Sequence, residues 1–135
     1  MHRIAVIAVV LALGLSACGA AQPTKSADKF SGDRAQVADV VDRLAAAGAK
    51  GDAQTICDDI LAKQLVTELK NAGGDCVTEM KRAIQDASDY DLQVKDVKVT
   101  GTTATAQVRQ GETGKLATFS FVKENGKWRA SALGS

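Results

Sequence analysis

Leu92-Gln-Val-Lys-Asp-Val-Lys-Val-Thr-Gly-Thr-Thr-Ala-Thr-Ala-Gln-Val-Arg109 is the stretch on which the fold turns, because apolar and polar residues alternate along it. A period of two sends successive side chains to opposite faces, which is the pattern of a half-buried β-strand. Thr100-Gly101 divides the run into two strands. In the second, Ala104, Ala106 and Val108 oppose Thr103, Thr105, Gln107 and Arg109. In the first, Leu92 and Val94 share one parity and Val97 and Val99 the other. That change of phase makes Lys95-Asp96 a candidate β-bulge, since an extra residue shifts the side-chain register and bends the strand.

Downstream the alternation runs from about Lys115 to Lys123, with Phe119 and Phe121 on one face and Leu116, Thr118, Ser120 and Val122 on the other. Asn125-Gly126 is a two-residue hairpin signal, because both residues tolerate positive φ. A fourth strand, Lys127 to Leu133, closes an antiparallel meander.

Upstream the period lengthens to that of a helix. Val37, Val40, Val41, Leu44 and Gly48 form one stripe on a helix that starts at Ser31 and ends between Ala49 and Gly51. Asp52 is placed to cap the next by accepting from N–H groups two or three residues on. Ile56, Ile60 and Leu61, then Leu65, Val66 and Leu69, carry the stripe across a break around Ala62 to Gln64. Gly73-Gly74 stops that helix and Asp75 caps another, whose Val77, Met80, Ala83, Ile84 and Ala87 face inward. The expectation is a single α+β domain over residues 31–135, with three to four N-terminal helices packed on a curved four-stranded antiparallel meander.

The 135 residues are 45% hydrophobic and 24% charged, the balance of an ordinary globular domain with one core. Aromatics at 4% oblige that core to be built mainly from Val, Leu, Ile and Ala.

Residues 1–17 divide as an export signal does: a basic start with Arg3, a twelve-residue apolar run from Ile4 to Leu15, then small residues. Twelve residues of helix reach about 18 Å, short of the roughly 30 Å hydrocarbon core, so a permanent span is the weaker reading. Leu15-Ser16-Ala17-Cys18 resembles, at all four positions, the lipobox of bacterial lipoproteins. The resemblance implies that lipid joins the Cys18 sulfur and that cleavage falls before it. Two or three acyl chains then hold the mature chain on the extracytoplasmic side of the cell membrane. The competing reading is an ordinary secreted chain cut after Ala17, which leaves an exposed thiol open to oxidation. Residues 18–30 contain the only proline, Pro23, and no apolar period. They read as a flexible tether spanning about 20 Å. Without residues 1–17 the chain carries 16 basic and 16 acidic residues, which gives no reason to expect nucleic acid as a partner.

Helices followed by a meander that ends Val122-Lys-Glu-Asn-Gly-Lys-Trp-Arg-Ala130 resemble the nuclear-transport-factor-2-like superfamily. Its small exported members commonly finish with a strand, a tight turn and a Trp-Arg pair, matched here by Trp128-Arg129. The resemblance spans about residues 31–134 and implies a cone-like sheet whose concave side holds a ligand, a catalytic site or only side chains.

Once Cys18 is assigned to lipid, Cys57 and Cys76 remain, and an even remainder in an exported chain favours a disulfide. A redox pair, which lacks Cys-x-x-Cys spacing here, and two unpaired core thiols are the alternatives. His2 is the only histidine, so a mature chain without the leader has no imidazole for acid–base catalysis, a Ser-His pair or a zinc site. No metal or cofactor is expected. Asp58 and Asp59, adjacent on a helix, point about 100° apart and read as solvated. Tyr90 and Asp91, just before the first strand, fall near a rim of the cone and join Trp128 as candidate pocket residues. The plainer reading makes Tyr90 a packed turn residue and Trp128 a core anchor. Arg109, Lys123, Lys127 and Arg129 read as the polar face of the sheet. Gly111-Glu-Thr-Gly114-Lys115 imitates a phosphate loop, but its first glycine is too close, Leu116 follows the lysine, and it joins two strands, so it reads as a hairpin turn.

These readings converge on a lipid-anchored, non-enzymatic binding or accessory module for a small apolar ligand or a neighbouring envelope protein. Two alternatives stand beside it. One is an isomerase- or dehydratase-type enzyme using a carboxylate and Tyr90, which requires an acid of raised pKa in an apolar pocket. The other is a structural envelope lipoprotein whose cone is merely filled.

Overall fold

In the computed structural model, which describes residues 25–134, four helices precede a four-stranded antiparallel sheet. Residues 1–24, and with them the leader, Cys18 and Pro23, lie outside the described residues. The helices are α1 (Gly32–Ala49), α2 (Ala53–Thr55), α3 (Lys63–Asn71) and α4 (Cys76–Asp86), with α2 running into a π-helical turn, Ile56–Ile60. The strands are β1 (Leu92–Thr100), β2 (Thr103–Gln110), β3 (Leu116–Glu124) and β4 (Lys127–Leu133), each paired with its neighbours in chain order. The α+β architecture expected from the sequence is the one observed. No described helix is long and apolar enough to cross a membrane.

The sheet gets its shape at its two edges. Val94 pairs with Val108 and Asp96 with Gln107, so Lys95 is the extra residue of a bulge in β1. Val94 and Val97 thereby point to the same face, and both are buried. A second bulge lies in the other edge strand: Ser120 pairs with Ala132 and Phe121 with Ala130, which leaves Ser131 unpaired in β4. An extra residue in one strand of a pair adds local twist and bend, so each edge strand is bent at its bulge. Between β3 and β4, Asn125 and Gly126 adopt φ of 49° and 77°, the two left-handed positions of a type I′ turn.

The core answers the shortage of aromatics by spacing them. Phe119 and Phe121 on β3 pair with Ala106 and Ala104 on β2, and Phe121 also pairs with Ala130 on β4. Each ring fills room that its alanine neighbours leave. Val37, Val40 and Val41 of α1 close over them, all at most 3% exposed. The break before α3 falls at Leu61-Ala62, both in extended conformation, where Leu61 forms an isolated parallel bridge to Ala130 and the Ala62 N–H donates to the Ala130 carbonyl at 2.7 Å. This contact covers part of the open edge of β4.

Composition assigns residues 25–30 to the linker, whereas the structure folds them. Ser26 is fully buried, and Ala27–Lys29 form a short 3-10 turn. The Asp42 carboxylate accepts from the backbone N–H groups of Ser26 and Ala27 at 2.8 and 2.9 Å, and the Ser26 hydroxyl accepts from the Val94 N–H at 2.9 Å. Beside it the Arg34 guanidinium donates to the Val97 carbonyl at 3.0 Å and lies over the Phe30 ring. The β1 edge is thus plugged at its bulge by side chains that no local pattern connects to it.

Candidate functional site

Two recesses flank α1, and their chemistry differs. The first is an apolar groove of about 360 Å³. Its walls are Leu44 and Ala45 of α1, Met80 and Ile84 of α4, and Leu92 and Leu133 at strand ends. The inward stripe expected on α4 packs on the margin of the core and, through Met80, Ala83, Ile84 and Ala87, lines this groove; Val77, Met80 and Ile84 are only half-buried and Ala83 is exposed. Tyr90 lies along the floor, its ring over Gly48, where an added Cβ would stand 3.5 Å from Cδ1. Its hydroxyl donates to the Ile84 carbonyl at 2.9 Å. That bond ties the last turn of α4 to the start of β1 and commits the Tyr90 oxygen to the backbone.

The polar end of the groove is formed by Asp89 and Gln110. The Asp89 carboxylate accepts from the Asp91 N–H at 2.8 Å and lies against Gly111, where a side chain would collide with it. The Gln110 amide donates to the Asp89 carbonyl. Gly114 is equally constrained, because a Cβ there would meet the Gln110 carbonyl. The glycines of the Gly111–Lys115 turn therefore serve close packing of the chain on itself. Asp91 is not part of the groove lining; its carboxylate accepts from Gln93 Nε2 at 2.9 Å and its carbonyl from the Gly111 N–H at 2.7 Å.

The second recess, about 640 Å³, is the more polar of the two, with Asp39 and Arg43 of α1, Asp59 of the π-helical turn, and Lys127, Trp128 and Arg129 of β4. Trp128 is 4% exposed, its indole N–H has no hydrogen-bond partner among the described residues, and the Lys123 ammonium stands 5.6 Å from the ring centroid. Lys123 also pairs with Asp33 at 3.6 Å, so it reaches toward α1 and does not belong to the outer polar face of the sheet. Arg129 donates to the Asp58 carbonyl at 2.8 Å and clamps β4 to the π-helical turn. The three candidate pocket residues are therefore divided: Tyr90 is in the apolar groove, Trp128 in the polar recess, and Asp91 in neither.

The wall that α4 contributes to the groove is fixed at both ends. At its start a Cys57–Cys76 disulfide ties it to the π-helical turn across a sequence separation of 19. Two like-built caps flank the staple. Asp52 accepts from the Thr55 N–H and hydroxyl at 3.1 and 2.7 Å, and Asp75 from the Thr78 N–H and hydroxyl, both at 3.0 Å. The threonine N–H first, and its hydroxyl second, hold both carboxyls below the ordinary value, outweighing the opposing effect of desolvation. At its end α4 is held by Tyr90, as described.

Ser26 and Asp42 are the residues near the groove that sequence reasoning missed. Asp42 lies among the apolar residues of α1, and an acid half-buried there signals a partner, but nothing local says that the partner is the backbone at Ser26. Among the described residues no cluster of His, Cys, Asp and Glu is arranged to hold a metal ion. No family model, curated protein or solved structure matches this chain.

Proposed function

We propose that this chain is a lipid-anchored extracytoplasmic binding module, built on a nuclear-transport-factor-2-like cone, whose groove takes a small apolar ligand. The observation that carries the reading is the groove: a recess of about 360 Å³ with aliphatic walls and polar groups confined to one end. Ligand sites are commonly concave, mostly apolar, and furnished with a few polar groups that set orientation. The anchor rests on the lipobox-like Leu15–Cys18 segment. Enzymatic use of Tyr90 has less to recommend it, since its hydroxyl is spent on Ile84 and Asp91 lies outside the groove.

The test is titration of the mature chain with the fluorescent apolar probe N-phenyl-naphthylamine. Saturable binding at one site is expected. Ala83→Phe, which fills the groove from an exposed helix position, is expected to weaken it at least tenfold with the circular dichroism spectrum unchanged. Absence of saturable binding, or equal binding by the variant, defeats the proposal.

A further inference from the structure

The groove and the point where the chain leaves the fold are next to one another. Ser26 bonds to Asp42 and to Val94, while the groove is walled by Ala45 and Leu92. Ala45 is three residues from Asp42 on one helix face, and Leu92 is two residues from Val94 along a strand, roughly 7 Å away. The tether to Cys18 thus ends at the rim of the groove. It is also shorter than composition implies: only seven residues separate Cys18 from Ser26, which is eight positions along. Eight steps of chain can reach at most about 29 Å.

Exposed lysines stand at the same place. Lys25 and Lys29 flank the buried Ser26, and Lys95, the bulge residue, follows the Val94 that bonds to it; Asp28 is the acid in the same turn. These lysines are interleaved with Asp28, Asp42 and Asp96, so the rim carries charges of both signs. Resting on the lipid-anchor reading above, we infer that the groove takes an acyl chain of a bilayer phospholipid, met at the membrane surface against which the pinned tether holds its rim. A cavity of about 360 Å³ accommodates about a dozen non-hydrogen atoms at liquid density, the scale of an acyl segment and too little for a whole phospholipid. Asp89 and Gln110 mark the polar end, where the headgroup side of the lipid stays in water.

The experiment uses the mature acylated chain in vesicles of phosphatidylethanolamine and phosphatidylglycerol, the latter carrying a photoactivatable diazirine in one acyl tail. Irradiation followed by peptide mapping is expected to place adducts on α4 and on the Leu92 peptide. Ala83→Phe and, independently, Ala87→Phe are expected to reduce those adducts at least tenfold while flotation with vesicles is unchanged. A mature chain with Ser in place of Cys18, added from solution, is expected to lose them to the same extent. An acylated, membrane-bound chain whose groove peptides stay unlabelled, or are labelled equally in both filled variants, overturns the inference alone. So does a diazirine fatty acid carried on Cys18 itself that cross-links into the groove of its own chain. An intact mass showing unmodified Cys18 overturns the anchor reading, and the inference with it.

Discussion

The face made by α1 and the sheet and the face made by α3 and α4 are held by different means. Seven residues of α1 are buried, and the sheet sets Phe119, Phe121, Val94, Val97 and Trp128 beneath them. No residue of α3 is buried, and in α4 only Cys76 is. The first face is stabilised mainly by removal of apolar surface from water, whereas on the second Leu65, Val66, Leu69, Val77, Met80 and Ile84 pack on the core only partly buried, and a covalent staple, the Asp75 cap and the Tyr90 hydrogen bond add to them. The groove opens between them, so one of its walls is rigid by packing and the other is held at points. A recess with one lightly anchored wall is able to open without disturbing the core.

The contrast breaks most sharply at Phe121, which is 1% exposed. Phe121→Ala removes the largest fully buried side chain and leaves a cavity between Ala104 and Ala130, at a cost of about 3–5 kcal/mol. Urea unfolding is expected to show the whole domain shifted by that amount, since the residue belongs to the shared core. On the other face, removing the staple with Cys57→Ala and Cys76→Ala frees a loop with a separation of 19 residues, which loop-closure entropy values at about 3 kcal/mol. Here the loss is expected to be local as well as global. Amide exchange in α3 and α4 should quicken far more than in β2 and β3, and uniform quickening would remove the distinction between the two faces.

Much of the fold was legible from residue order alone, because period and turn chemistry act locally. The alternation in 103–109 and 115–123, the Asn125-Gly126 turn, the Asp52 and Asp75 caps and the β1 bulge all follow from neighbours within a few positions. The β4 bulge did not show, and the reason is chemical. Val94 and Val97 are large enough to announce a change of phase, whereas the three-residue step from Ala130 to Leu133 runs through Ser131 and Ala132, which suit either face. The end of the tether failed for a different reason: Ser26 is held by Asp42 and Val94, 16 and 68 positions away, and a Ser-Ala-Asp-Lys run carries no periodic trace of such partners. At the candidate site Tyr90 was legible as a rim residue, but its separation from Trp128 was not, since it depends on which side of α1 each strand end reaches.

Ser26→Ala tests whether the β1 edge belongs to the packed face. The substitution removes the acceptor from the buried Val94 N–H, and an unsatisfied buried donor costs about 1–3 kcal/mol. A matching loss in urea unfolding is expected, with β1 amides exchanging faster than β3 amides. Unchanged stability would mean that the bulged edge is held by strand pairing alone and that Asp42, through the Ser26 and Ala27 N–H groups, is what pins the segment.

The smallest expected effect lies in the caps and comes with a sign. The folded carboxyls of Asp52 and Asp75 titrate below the ordinary value of 3.8, chiefly because the Thr55 and Thr78 N–H groups favour the ionised form. A carboxyl whose folded pKa is depressed contributes stability that is fully present above its unfolded pKa and is lost as the pH falls through the folded one. Stability from the caps should therefore be constant around neutrality and decline below about pH 4. Asp52→Asn with Asp75→Asn keeps a capping side chain but removes the titration, since asparagine caps a helix about as well as aspartate. The double variant is expected to show a shallower fall in urea midpoint between neutral pH and about pH 3 than the parent. The difference should be concentrated in the amides of α4, because Asp75 caps the wall that packing holds least. An equal acid response in parent and variant would assign the caps no share in holding that wall.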